Sequence, residues 1–279
     1  METHDLIIFK QVAELQSVSQ AAENLGYVQS NVSQRIKSLE DELGVKLFTR
    51  NNRGVTLTEE GNVFLEYTNQ IIHLIDEAKT LVNPDKWKRA LAIGATQTIS
   101  AVKIPRLITS FLSESEKIDV KVRTNNKRKL QQMLSYGELD GIFISGPYNY
   151  SQFEAVYSYN EKLVLISPKN TKLDNKMHTL IVNSDKNCIY RNKLLHYSKE
   201  ILNPTIIEFD SLESILQAVH DGLGLSVVPS DVANSRKDIL SIQQKELPDG
   251  IKIDFIIKKR KQRPQSLTKF IHFLHKSEY

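Results

Sequence analysis

The side chains best placed to do chemistry lie between residues 29 and 35. Gln29, Ser30, Asn31, Ser33, Gln34 and Arg35 form a polar set, interrupted by Val32 and closed by Ile36. Glutamine and asparagine can pair bidentately with the major-groove edge of adenine, and arginine with that of guanine. Serine can reach phosphate oxygens, which position a protein without reading sequence. Gln29, Asn31 and Arg35 are therefore expected to read bases. Ser30, Ser33, Arg50, Arg53 and Thr58 are expected to hold the backbone, with Gln34 on the same face. A polar stripe alone fits an ordinary solvated helix equally well. What shifts the balance is Asn51-Asn52-Arg53-Gly54, a turn flanked by Arg50 and Arg53 that would stand as a wing beside the duplex.

Other chemistry is thin. Cys188 is the single cysteine of 279 residues, so no internal disulfide or one-chain zinc site can form, and a bystander thiol is the expected role. The seven histidines are scattered and show no short pair at metal-ligand spacing. There is no Gly-rich phosphate loop, nucleophile elbow or paired metal motif, so an enzyme is not expected, nor any metal or cofactor. The formal net charge is +4, but residues 1–60 hold six Lys or Arg against nine Asp or Glu. The basic excess therefore lies outside the segment that would meet DNA, and the case rests on local positions. The run 258–263, Lys-Lys-Arg-Lys-Gln-Arg, reads as a solvated strand end. No apolar run approaches membrane-span length and no signal peptide is seen, so a cytoplasmic protein without membrane contact is expected.

The elements that must position the polar set can be read from periodicity. Leu6, Phe9, Val12 and Ala13 recur at helical spacing. Ser17-Val18-Ser19-Gln20 matches a capping box, Val18, Ala21, Ala22 and Leu25 give an apolar face, and Gly26 can end that helix. A third helix is expected from about Gln29 to Leu43, with Val32, Ile36, Leu39 and Leu43 inward and Gly44 closing it. Val45–Phe48 and Val55–Leu57 read as paired strands. Thr58 is a good N-cap for a long helix to about Val82. Along it Phe64, Tyr67, Ile71, Leu74, Ala78 and Leu81 step 3-4-3-4-3, a dimerisation seam. From residue 90 short apolar runs alternate with helical stretches, which predicts parallel sheets with helices on both faces.

The segments 17–25 (Ser-Val-Ser-Gln-Ala-Ala-Glu-Asn-Leu), 32–50 and 57–61 (Leu-Thr-Glu-Glu-Gly) together resemble the DNA-binding region of LysR-type transcriptional regulators. The resemblance extends more loosely through 222–229, Gly-Leu-Gly-Leu-Ser-Val-Val-Pro. One departure is Val28, which stands where many members place a serine cap. The resemblance implies an all-α winged helix-turn-helix domain (1–58) and a linker helix (59–87) that joins a homodimer, pairing again into a homotetramer. It further implies an α/β effector domain (88–279) like periplasmic solute-binding proteins. Its first subdomain would span about 88–161 and 266–279, and its second about 162–265. The expected function is sequence-specific transcription regulation at a double-stranded operator, modulated by a small molecule, with RNA polymerase as a candidate further partner. A solute-binding module without DNA leaves residues 1–60 unexplained.

Ligands of paired α/β lobes bind outside the carboxyl ends of strands, where helix N-termini offer free N–H groups. Thr96, Gln97 and Thr98 follow one such strand, and by resemblance Thr98 and its neighbours occupy the effector position. Ser145 and Gly146 end another strand on the same side. Tyr190 and Arg191 are expected across the cleft, with Arg191 as a carboxylate clamp, and Asp210 and Ser211 less directly. The chain is expected to cross between lobes near Asn160–Leu163 and return near Arg263–Leu267.

Overall fold

The computed structural model describes residues 1–51, 54–83, 90–114, 118–169, 179–199, 203–236, 242–259 and 262–276, with the backbone alone at Arg50, Asn51 and Leu81. The chain divides into two compact units, Met1–Arg89 with Tyr136–Glu138, and Ala90–Ser135 with Leu139–Tyr279. Each is described by itself.

In the first unit, helices α1 (Thr3–Leu15), α2 (Val18–Leu25) and α3 (Gln29–Leu43) precede strands β1 (Phe48–Asn51) and β2 (Gly54–Leu57) and the long helix α4 (Glu59–Val82). Ile8, Phe9, Val12, Ala21, Ala22, Val32, Ile36, Leu39 and Leu47 form its core. On α1 it is Ile8 that is buried rather than Ala13, and Leu43 lies exposed at the end of α3. The Ser17 hydroxyl accepts from the Gln20 N–H at 3.3 Å. Gly26 takes φ +71, the left-handed conformation that a Cβ disfavours, and so allows the tight turn from α2 toward α3. Residues 45–47, expected as strand, make none; pairing begins at Phe48 opposite Leu57. The reason is Glu40, which is buried on α3. Its carboxylate accepts from the Leu47 and Phe48 N–H groups at 2.9 and 3.3 Å and from Lys46 Nζ at 2.7 Å, taking the donors that a longer ladder would use. Burial alone would raise this carboxyl, but the Lys46 and backbone donors outweigh it and hold it below the usual range. At Gly61 a Cβ would lie 2.1 Å from the Leu47 carbonyl oxygen, so only glycine lets α4 start this close to the hairpin.

The second unit has two lobes. In the first, β3 (Leu91–Ala95), α5 (Gln97–Glu114), β4 (Val120–Thr124), α6 (Lys127–Tyr136), β5 (Gly141–Ser145) and β6 (Phe153–Glu161) follow in order. The chain then builds the second lobe from β7 (Leu163–Pro168), β8 (Thr179–Asn183), α7 (Ile189–Tyr197), β9 (Thr205–Phe209), α8 (Leu212–His220), β10 (Ser226–Pro229), α9 (Ser230–Ser235) and β11 (Ile242–Glu246). Finally β12 (Ile251–Lys258) and α10 (Gln265–Lys276) close the chain. The first lobe's sheet has the order β4-β3-β5-β12-β6; the second holds β10-β7-β11 and β8-β9, which meet at the bridge from Leu180 to Leu225. Phe270 on α10 packs its ring against Phe111 and Phe255 in the first lobe, at 5.1 and 5.4 Å.

Instead of purely parallel sheets, the first lobe has a mixed sheet and the second an antiparallel sheet beside a parallel pair. β3 runs parallel to β4 and β5, and β8 to β9, whereas β12 is antiparallel to β5 and β6, and β7 to β10 and β11. The chain leaves the first lobe through β6 and re-enters it through β12, so the two neighbouring strands run in opposite senses. Re-entry therefore falls near residues 247–250, earlier than the expected 263–267, and β12 belongs to the first lobe's sheet.

Candidate nucleic-acid interface and effector cleft

The two buried residues of α3's first turns, Val32 and Ile36, turn Gln29, Ser30, Asn31 and Gln34 into solvent, while Ser33 is half-buried. Arg35 is engaged differently from the expectation of a free base reader. Its Nη1 donates to Asp5 Oδ1 on α1 at 2.7 Å, and the guanidinium thereby ties α3 to α1. Burial alone would raise the Asp5 carboxyl, but the Glu2 N–H and Arg35 hold it below its ordinary value. Thr58 is also occupied. Its hydroxyl donates to the Lys46 carbonyl at 2.7 Å and accepts from the Gly61 N–H at 2.9 Å, joining the hairpin to α4 instead of standing free for a phosphate. Arg50 lies in β1, opposite Val55. Its side chain, and the whole of Arg53, lie outside the described residues.

On α4, Tyr67 and Leu74 are 59% and 60% exposed, and Ala78 is exposed as well. Ile71 is half-buried, and the side chain of Leu81 lies outside the described residues. Phe64 departs from the expected seam: its ring packs 4.9 Å from Phe9, toward the core of its own unit.

In the second unit a cleft of about 320 Å³ is lined by Thr96, Gln97, Thr98 and Ser145 from the first lobe and by Tyr190 and Asp210 from the second. Gly146, Arg191 and Ser211 do not line it. Arg191 is nearly buried, with Nη1 2.7 Å from Glu208 Oε1 and 2.8 Å from the Asn183 carbonyl oxygen. The guanidinium expected as a free carboxylate clamp is thus already paired with a carboxylate through Nη1. Ser211 caps α8 through the Ser214 N–H. Gln97 Oε1 accepts from the Leu212 N–H at 3.2 Å, a hydrogen bond from the first lobe to the second at the cleft's edge.

The residue that the sequence reading missed is Lys127. It lines the cleft at the start of α6, beside Asn125 and Asn126, and its Nζ donates to the Ser145 carbonyl at 2.7 Å. Burial pushes its ammonium pKa down, and among the described residues no carboxylate pairs with it. The strand-end logic that located Thr96–Thr98 applies equally to the end of β4, three residues before Lys127. The helices α5, α6 and α7 all begin at this cleft, where first-turn N–H groups favour negative charge. Cys188 also reaches it as the residue before α7, and burial raises its thiol pKa.

Behind the cleft, Tyr190 donates its hydroxyl to Glu161 Oε2 at 2.6 Å. Glu161 is the last residue of β6, just before the chain crosses between lobes, and pairs in register with Ile251 at the re-entry. Burial pushes its carboxyl up to about 7; the Tyr190 bond opposes this, nearby Asp231 adds to it and Lys103 opposes it.

No helix among the described residues is long and apolar enough to cross a membrane, and no cluster of three His, Cys, Asp or Glu among them could hold a metal ion. Residues 3–62 match the family model described as bacterial regulatory helix-turn-helix protein, lysR family, and residues 84–278 match LysR substrate binding domain. The chain is 36% identical over 266 residues to the uncharacterized HTH-type transcriptional regulator YusT of Bacillus subtilis, covering 93% of this chain and 90% of that one. To the HTH-type transcriptional regulator CzcR of Bacillus anthracis it is 34% identical over 278 residues, covering 97% and 96%. Among solved structures, full-length OxyR from Pseudomonas aeruginosa superposes with a TM-score of 0.75 at 23% identity, covering 100% of this chain and 96% of that one. Full-length CbnR complexed with its target DNA gives 0.75 at 22%, covering 99% of each; at these identities the likeness shows the fold.

Proposed function

Because the chain belongs to the LysR family of bacterial transcriptional regulators, we propose that α3 reads its operator chiefly through Gln29, Asn31 and Gln34, while Ser30, Ser33, Arg50 and Arg53 hold the backbone. The observation that carries this reading is the exposed polar face on the first turns of α3, the second helix of a helix-turn-helix whose first turns enter the major groove. Arg35 then acts mainly by fixing α3 against α1. Binding-site selection from random duplexes, followed by affinity measurements, tests the assignment. Gln29→Ala should lose about 1–3 kcal/mol of discrimination at one or two base pairs and keep its affinity for random DNA. A parent protein that binds selected and random duplexes equally would refute it.

The regulatory ligand belongs in the cleft lined by Thr96, Gln97, Thr98, Ser145, Tyr190 and Asp210, with Lys127 as its positive charge. An ammonium with no carboxylate partner among the described residues, half-buried where three helices begin, suits an anionic small molecule. Closing the lobes on it changes how the attached DNA-binding domains are held. Thermal-shift screening of a metabolite library supplies the ligand. An anionic hit should bind Lys127→Met at least about tenfold more weakly, the scale of one charge-assisted hydrogen bond. Equal calorimetric affinity in both proteins would take Lys127 out of the site.

Assembly follows from the same premise. One winged domain makes too few contacts to select a single genomic site, so two half-sites and a homodimer through α4 are required. Pairing of dimers into a tetramer and contact with RNA polymerase extend this reading, in the cytoplasm where the DNA lies.

A further inference from the structure

Val28 is the most exposed large apolar side chain among the described residues before α4, at 68%. It is the N-cap of α3, with extended backbone and no side-chain bond to the helix. Ser, Thr, Asn or Asp in this slot would stabilise the helix by about 1 kcal/mol. An isopropyl group there satisfies no donor and stays largely exposed in the free chain.

Its position, by contrast, is well fixed. The next residue but one before it, Gly26, makes the turn, and the Tyr27 N–H bonds the Ala22 carbonyl at 2.8 Å. The Tyr27 hydroxyl meets His4 Nε2 at 2.7 Å. On the helix side, the Asn31 and Val32 N–H groups return to the Val28 carbonyl at 3.0 and 3.3 Å. The side chain is β-branched and stiff at χ1, so little freedom remains to be lost on contact. It stands immediately before Gln29, at the edge of the polar face. In the major groove the one apolar group on a base edge is the C5-methyl of thymine.

We infer that Val28 is a specificity-determining residue that reads a thymine by packing its isopropyl group on the C5-methyl in each half-site. This rests on the reading of α3 as the base-reading helix. It differs from a capping role in kind, because a serine at position 28 would favour the helix and ignore the methyl.

Deoxyuridine differs from thymidine only by that methyl and isolates the contact. Full-length protein first selects its site from a randomised duplex library, and the selected duplex is the probe. Each thymine of one half-site is then replaced by deoxyuridine in turn. At one thymine the parent should lose roughly three- to tenfold in affinity, the size expected when a methyl leaves an apolar contact. The same replacement should change the affinity of Val28→Ser by less than about twofold. A cytosine at that position should regain part of the parent's affinity when methylated at C5. A parent indifferent to deoxyuridine at every thymine overturns the assignment, as does a V28S variant with the parent's full penalty. A parent that selects no sequence would instead remove the base-reading helix itself, a different failure.

Discussion

Replacing Leu74 by glutamate should convert the protein into monomers that no longer hold operator DNA at concentrations where the parent is saturated. Leu74 and Tyr67 lie one heptad apart on α4 with more than half of each side chain in solvent, and Ala78 continues the stripe. A 24-residue helix is about 36 Å long, enough for two copies to pair over several turns. In a symmetric pair the substitution puts two carboxylates near each other on an apolar seam, where each loses water and gains no partner. Two domains on one dimer bind their half-sites with an effective concentration near millimolar, so uncoupling them should cost roughly 10²–10⁴ in affinity. Sedimentation velocity and mobility-shift titration read the two effects separately. A Leu74→Glu protein that sediments as the parent does would mean that α4 pairs through another face.

The second large effect concerns pH. Folding raises the Glu161 carboxyl from its ordinary 4.5 to about 7, so the folded state binds this proton more tightly than the unfolded one. The sign follows: the group's favourable contribution is complete below about 4.5 and is lost as pH rises through about 7. Above that range the ionised carboxylate destabilises the fold by up to about 3 kcal/mol relative to a neutral group. Glu161→Gln keeps an acceptor for the Tyr190 hydroxyl and cannot ionise. Denaturation of both proteins by urea should give similar stabilities near pH 5, with the variant pulling ahead by about 3 kcal/mol by pH 8. Other titrating groups cancel in the difference. Parallel stability curves from pH 5 to 8 would show that Glu161 titrates as an ordinary surface acid. The residue joins the cleft-lining Tyr190 to the strand that leaves the first lobe.

The winged domain was legible because its signals are local. The Ser17 cap, the left-handed Gly26 and the 3.6-residue spacing of Val32, Ile36 and Leu39 each act within a few residues, and the fold uses each as written. Most strands of the second unit were legible as apolar runs, though not the sheets they join. The run that forms β12 looks the same whether it stays in the second lobe or re-enters the first. β6 carries no such run, because its polar and aromatic residues alternate, and neither does β11, a largely polar edge strand. The charges were least legible. Arg35 finds Asp5 thirty residues away, and Arg191 on α7 finds Glu208 on β9. Nothing in the local sequence distinguishes such an engaged arginine from one awaiting a ligand. Lys127 is the opposite case: nothing within Lys127-Arg128-Lys129 marks the first member as the one that lines the cleft.

The Arg35–Asp5 pair has a consequence for ions in solution. Each cation that newly neutralises a DNA phosphate releases condensed counterions, and the logarithm of the binding constant falls with that of salt by about 0.9 per phosphate. On the proposed reading of α3, Arg35 would approach the duplex with its charge already balanced by Asp5. It has little to exchange with the counterion atmosphere, although it sits in the helix nearest the groove. Asp5→Asn would free it and should steepen the salt slope by up to about one unit. On that reading the native pair would moderate how strongly this regulator's grip on DNA follows the ionic strength around it.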